Sequence, residues 1–72
     1  MDAKNNELWK LQPGWIAGYT EDGQLIKNIK RSNKNWIITA DYFSNGKRIG
    51  VHLKIPVEDR RQAERRFGVK VS

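Results

Sequence analysis

The side chains able to do chemistry in this chain are mostly cationic and hydrogen-bonding, and few of them are arranged for catalysis. There is one histidine, His52, and no cysteine. If the strands around it pair, Asp41 comes diagonally near His52, and an Asp–His pair is a legitimate acid–base fragment. With no nucleophile or pocket beside it, a cross-strand polar contact is the simpler reading. One histidine among scattered carboxylates matches no metal-ligand spacing. The six glycines contain no phosphate-loop pattern and read as turn residues. No catalytic residue, metal, cofactor or small-molecule substrate is expected, and the chain is not read as an enzyme.

Polyanion recognition is better supplied. Fourteen Lys and Arg against eight Asp and Glu give a net charge of +6 in 72 residues, with a pI near 10.0. Such a balance favours nucleic acid, and less often an acidic protein or a membrane surface. Thr39, Arg48, His52 and Lys54, with Lys47 at a turn, have the donor types that read base edges from a two-stranded ribbon in a DNA major groove. Arg48 is the first candidate for a bidentate guanine contact. Lys27, Lys30, Arg31 and Lys34 cluster along the chain and suit phosphate contacts, which position without specifying. The segment 58–67 adds Arg60, Arg61, Arg65 and Arg66.

What must position these groups is a hairpin. Asn45-Gly46 separates two alternating runs, and both residues tolerate the positive φ of a type I′ turn. Folding there places Phe43 opposite Arg48, Tyr42 opposite Ile49 and Thr39 opposite His52. One face then carries Trp36, Ile38, Ala40 and Tyr42 against Ile49, Val51, Leu53 and Ile55, and is assigned to the core. The other carries Ile37, Thr39, Asp41 and Phe43 against Arg48, Gly50, His52 and Lys54, and is assigned to a partner. A one-residue slip would exchange the two faces.

Upstream, residues 1–7 read as a flexible tail, and residues 8–72 as a single domain. Leu8, Trp9 and Leu11 could form a short strand or one helical turn before Pro13-Gly14. Trp15 to Thr20 reads as a strand, Asp22-Gly23 as a second type I′ turn, and Gln24 to Lys30 as the returning strand. Downstream, Pro56 closes the last strand. Glu58 and Asp59 at the start and Arg65 and Arg66 at the end match the dipole of a helix that Gly68 would stop. That helix must dock through Ala63 and Phe67, because about eleven residues will not hold a helix alone. Val69 to Ser72 adds an edge strand or trails off. The expected fold is α+β: a small antiparallel meander of three to five strands with one C-terminal α-helix on one face. Nothing reads as a signal peptide or a membrane span, so a cytoplasmic location is expected.

The run Trp36-Ile37-Ile38-Thr39-Ala40-Asp41-Tyr42-Phe43, the tight turn Asn45-Gly46-Lys47-Arg48, the strand reaching Leu53-Lys54-Ile55-Pro56, and a helix with Ala63-Glu64 resemble the N-terminal arm-type DNA-binding domain of phage and transposon tyrosine recombinases. The resemblance covers residues 36–67. It implies a sheet inserted into the major groove, a helix bracing its back, and DNA contacts from Thr39, Arg48, His52 and Lys54. The extra hairpin and the Trp-rich N-terminal segment depart from that pattern, and the resemblance implies no recombinase activity. DNA is the expected partner, through phage or mobile-element recombination or gene regulation. The alternatives are an RNA or single-strand binder stacking bases on Trp15, Tyr19 or Phe43, and an inhibitor or adaptor acting on an acidic protein.

Overall fold

A computed structural model of the chain describes residues 5–72. The elements run β1 (Glu7–Gln12), β2 (Trp15–Thr20), α1 (Gly23–Ser32), β3 (Ile37–Ser44), β4 (Lys47–Pro56), a single 3₁₀ turn (Val57–Asp59) and α2 (Arg60–Phe67). The α+β class holds, with one four-stranded antiparallel sheet in the order β1-β2-β4-β3. The meander does not: α1 carries the chain across β4, so β2 and β3 flank β4 and each pairs antiparallel with it.

The second helix is the main correction. Asp22-Gly23 is a helix start and not a hairpin turn: the Asp22 carboxylate accepts from the backbone N–H of Gln24 and Leu25 at 3.0 and 3.3 Å. Aspartate is a preferred N-cap for this reason. Gln24 to Lys30 is therefore helical. Its buried side chains, Leu25, Ile26 and Ile29, share one helical face, and Lys30 and Arg31 fill the last turn, where the dipole favours cations.

The other elements follow their local chemistry. Leu8 to Gln12 is strand, settling the ambiguity there. Pro13 followed by Gly14 at φ +90° is the residue order of a type II turn joining β1 to β2. Asn45 at φ +52° and Gly46 at +79° make the expected tight turn between β3 and β4. Gly68 ends α2 in the left-handed region, its N–H bonded to the Glu64 carbonyl at 2.9 Å. Of the expected tail, residues 1–4 lie outside the described residues. Asn6 is anchored, its amide donating to the Phe67 carbonyl at 2.9 Å and accepting from the Thr20 hydroxyl at 2.6 Å. Val69 to Ser72 forms no strand, although the Ser72 N–H bonds the Leu8 carbonyl at 3.0 Å beside β1.

Both helices cover one face of the sheet. Leu8, Ile16, Val51, Leu53 and Ile55 from the strands meet Leu25, Ile26 and Ile29 of α1, Trp36, and Ala63 and Phe67 of α2 in one buried cluster. Gly18 makes room for this packing, since a Cβ there would lie 3.1 Å from the Phe67 ring and 3.2 Å from Leu8. The Trp36 indole N–H donates to the Asp59 carboxylate at 2.9 Å, so its polar edge is satisfied where the ring is buried. Asn33, at the end of α1, donates to Gln62 in α2 at 3.3 Å. The N-terminal turns of α1 share a groove with Arg66 at the far end of α2, so the two helices lie side by side and antiparallel.

Candidate nucleic-acid interface

The β3–β4 hairpin decides where the expected contact residues go, and its register departs from strict alternation in the middle. Ser44 pairs with Lys47, Phe43 with Arg48, Ile38 with Leu53 and Ile37 with Lys54, as expected. Between those ends Tyr42 pairs with Gly50, Asp41 with Val51 and Ala40 with His52. Two bulges cause the shift: Thr39 is an extra residue on β3 and Ile49 an extra residue on β4. They cancel, so the strand ends stay in step while the residues between them change face.

Residues directly opposite each other share a face, so Asp41, opposite Val51, lies on the helix side. It does not approach His52 as an acid–base partner. It binds Arg48, with Nε 3.0 Å from Oδ1, and the Arg48 guanidinium carbon lies 6.0 Å from the centre of the Phe43 ring. Arg48, the first candidate for a base contact, is thus turned away from His52 and Lys54 and held by a carboxylate. Ile49, assigned to the core, is 46% exposed. Tyr42, also assigned to the core, is on the opposite face and 40% exposed. Thr39 is exposed at its bulge, and Lys47 is exposed at the hairpin tip.

The face away from the helices is aromatic. His52 sits among three rings, those of Tyr19, Tyr42 and Trp9, at centroid distances of 5.1, 5.2 and 5.7 Å. All three contacts are edge-on, the geometry that the ring quadrupole favours. The Tyr42 hydroxyl and His52 Nδ1 are hydrogen-bonded at 2.7 Å. The Tyr19 hydroxyl donates to Glu21 at 2.6 Å, and this bond, with partial desolvation, pushes its pKa up to about 12. Glu21 is held below the usual carboxylate range by the same bond and by a second from Asn5. Lys54 lies over the Trp15 ring, 4.6 Å from its centre. Of the expected hairpin set, only His52 and Lys54 belong to this face. Trp9 and Tyr42 join them on this face without having been expected there from sequence. Alternation with buried Leu8 marks Trp9 in the sequence, whereas no local signal marks the bulges that turn Tyr42 outward.

The expected phosphate-contact set is on the other side of the molecule and is brought together more closely than the sequence alone implies. Lys27, Lys30 and Arg31 stand at i, i+3 and i+4 on the exposed side of α1, away from its buried Leu25, Ile26 and Ile29. Lys34 follows in the next turn, exposed. No acidic residue lies within α1. Arg31 donates to the neutral Asn28 amide at 3.1 Å, and among the described residues no carboxylate pairs with it. Beside α1, α2 carries Arg60, Arg61, Arg65 and Arg66 against one carboxylate, Glu64, which Arg60 approaches at 3.4 Å. Glu64 also accepts the Val71 N–H at 3.0 Å, and that bond is the main reason its carboxyl is held below the usual range.

The molecule is therefore two-sided, with a cationic helix layer and an aromatic sheet face bearing little charge. Among the described residues no group of acidic, histidine or cysteine side chains is arranged to hold a metal ion. No helix among them is long and apolar enough to cross a membrane. No protein-family model, curated protein or solved structure matches the chain.

Proposed function

We propose that this chain is a DNA-binding module that grips the phosphate backbone of a duplex through its helix layer. The observation that carries the reading is the row Lys27, Lys30 and Arg31 on one side of α1, a helix with no carboxylate of its own, with Lys34 exposed just beyond its end. The four arginines of α2 add charge on the same face of the sheet. Within α1, Lys27, Lys30 and Arg31 span about 6 Å at ~1.5 Å per residue, and Lys34 extends the row beyond the helix end. The bond between Arg48 Nε and Asp41 argues against the hairpin as the main reader of bases, because it holds Arg48 on the helix side of the strand pair, away from His52 and Lys54. The resemblance to arm-type domains adds the setting, a cytoplasmic role in mobile-element recombination or gene regulation. Phosphate contact of this kind holds DNA without choosing a sequence.

The test is a salt titration with duplex DNA. If the four cations of the row each neutralise one phosphate, log K falls against log salt with a slope near −3.6, about a 150-fold loss between 50 and 200 mM. Lys30→Ala should flatten the slope by about 0.9, while Lys54→Ala on the opposite face should leave it unchanged. A slope flatter than about −1, or binding lost with Lys54→Ala and kept with Lys30→Ala, would refute the assignment. Tighter binding of single strands or RNA than of duplex would move the function to base stacking.

A further inference from the structure

We propose that the aromatic face of the sheet is a homodimer interface, on which a second copy of this chain stacks sheet to sheet across a two-fold axis. The inference does not depend on DNA binding, and its test reads assembly alone.

Three observations carry it. The first is composition: Trp9, Trp15, Tyr19 and Tyr42 crowd one face that no element among the described residues covers, together with Ile37, which is 46% exposed. Tryptophan and tyrosine are the side chains that anchor protein interfaces, where charged groups are depleted. The second is polar satisfaction. The Tyr42 hydroxyl is bonded to His52 and the Tyr19 hydroxyl to Glu21, so removing water strands neither phenol.

The third is charge, which favours a second copy over a polyanion on this face. The chain carries +6 overall. Its paired rows give the open face one cation and one carboxylate, Lys54 on β4 and Glu7 opposite Tyr19. Two like-charged copies repel least when they meet here with both helix layers pointing outward. The two-fold axis allows Lys54 of each copy to approach Glu7 of the other. A polyanion has no comparable attraction to a face that bears a carboxylate at its edge and Glu21 beside Tyr19. Four strands at ~4.8 Å and about six residue rows at ~3.3 Å give a projected face of about 400 Å². Side-chain relief brings this toward the roughly 600 Å² per partner at the lower end of specific interfaces. Sheets stacked this way sit about 10 Å apart.

Sedimentation equilibrium from about 1 µM to on the order of 500 µM brackets the affinity that such an area supports. The apparent mass should rise from 8.4 kDa toward about 17 kDa. Ile37→Glu and Tyr42→Glu alter exposed positions and should each weaken dimerisation by at least tenfold while the circular dichroism spectrum is kept. Lys30→Glu on the helix layer should leave dimerisation unchanged or strengthen it. In a mixture of isotope-labelled and unlabelled protein, intermolecular NOEs should connect the Ile37, Tyr42 and Trp9 side chains. The proposal is overturned by a monomeric mass across the whole range, by association that both glutamate variants leave intact, or by intermolecular NOEs confined to the helices or the outer edge of β3. It is equally overturned if oligothymidine quenches the tryptophans of a monomeric protein, since the face would then be a base-stacking platform.

Discussion

Gly18→Ala tests the packing of α2 on the sheet at its tightest point. The added methyl carbon would sit 3.1 and 3.3 Å from two carbons of the Phe67 ring and 3.2 Å from a Leu8 methyl. Phe67 and Leu8 are both 2% exposed, so neither has open space to move into. The Phe67 carbonyl is also held by Asn6, which ties the end of α2 to the chain entering β1. Overpacking of this kind costs about 1–3 kcal/mol. A 72-residue domain has a total stability of roughly 4–11 kcal/mol. In a domain this small a cost of 2 kcal/mol lowers the midpoint of thermal unfolding by about 8–16 °C. Thermal and urea unfolding followed by far-ultraviolet circular dichroism measure the loss. A double-mutant cycle isolates its cause: Phe67→Leu opens space beside position 18, so Gly18→Ala should cost at least 1 kcal/mol less in that background than in the wild type. An isolated cost below about 0.5 kcal/mol, or strict additivity with Phe67→Leu, would refute the claim that the bare Gly18 backbone is what lets α2 dock.

Three further outcomes are expected. Asp22→Ala removes the acceptor for two N–H groups at the start of α1 and should cost about 1 kcal/mol in urea unfolding. The Glu64 carboxyl is held below its usual range in the folded state, so its contribution to stability is complete above the unfolded carboxylate pKa of about 4.3 and is lost as pH falls through the lower folded value. Urea midpoints should therefore fall less steeply in acid for Glu64→Gln than for the wild type. Tyr19 is shifted the other way, to about 12, and its stabilising contribution is complete below the unfolded tyrosine pKa of about 10 and lost as pH rises through the folded value. Ultraviolet titration should show one tyrosine ionising late, and Glu21→Gln should bring that ionisation back toward 10.

Two mistaken expectations show where local signals stop. Asp-Gly serves equally well as a type I′ turn and as a helix N-cap followed by its first residue. The choice fell to Leu25, Ile26 and Ile29, whose helical spacing lets them bury together under the sheet. In the β3–β4 hairpin, turn and alternation correctly placed both strand ends, because the turn sets register at one end and buried Leu53 and Ile55 set it at the other. The compensating bulges between them have no local signature. They exchange the faces of Asp41 and Tyr42, and that exchange dismantles the expected base-reading row.

The α+β class, the Asn45-Gly46 turn, the docking of the last helix through Ala63 and Phe67, and the strong cationic excess were all legible along the chain. Each follows from short-range spacing or from composition. How the charge and the aromatic rings are divided between the two faces emerged only with the packed fold. Folding Gln24 to Lys30 as a helix places Lys27, Lys30 and Arg31 on the outer side of the helix layer, and the bulges turn Tyr42 toward His52 on the opposite face. That division depends on which face each element buries, and burial is settled by packing against residues far away in the chain.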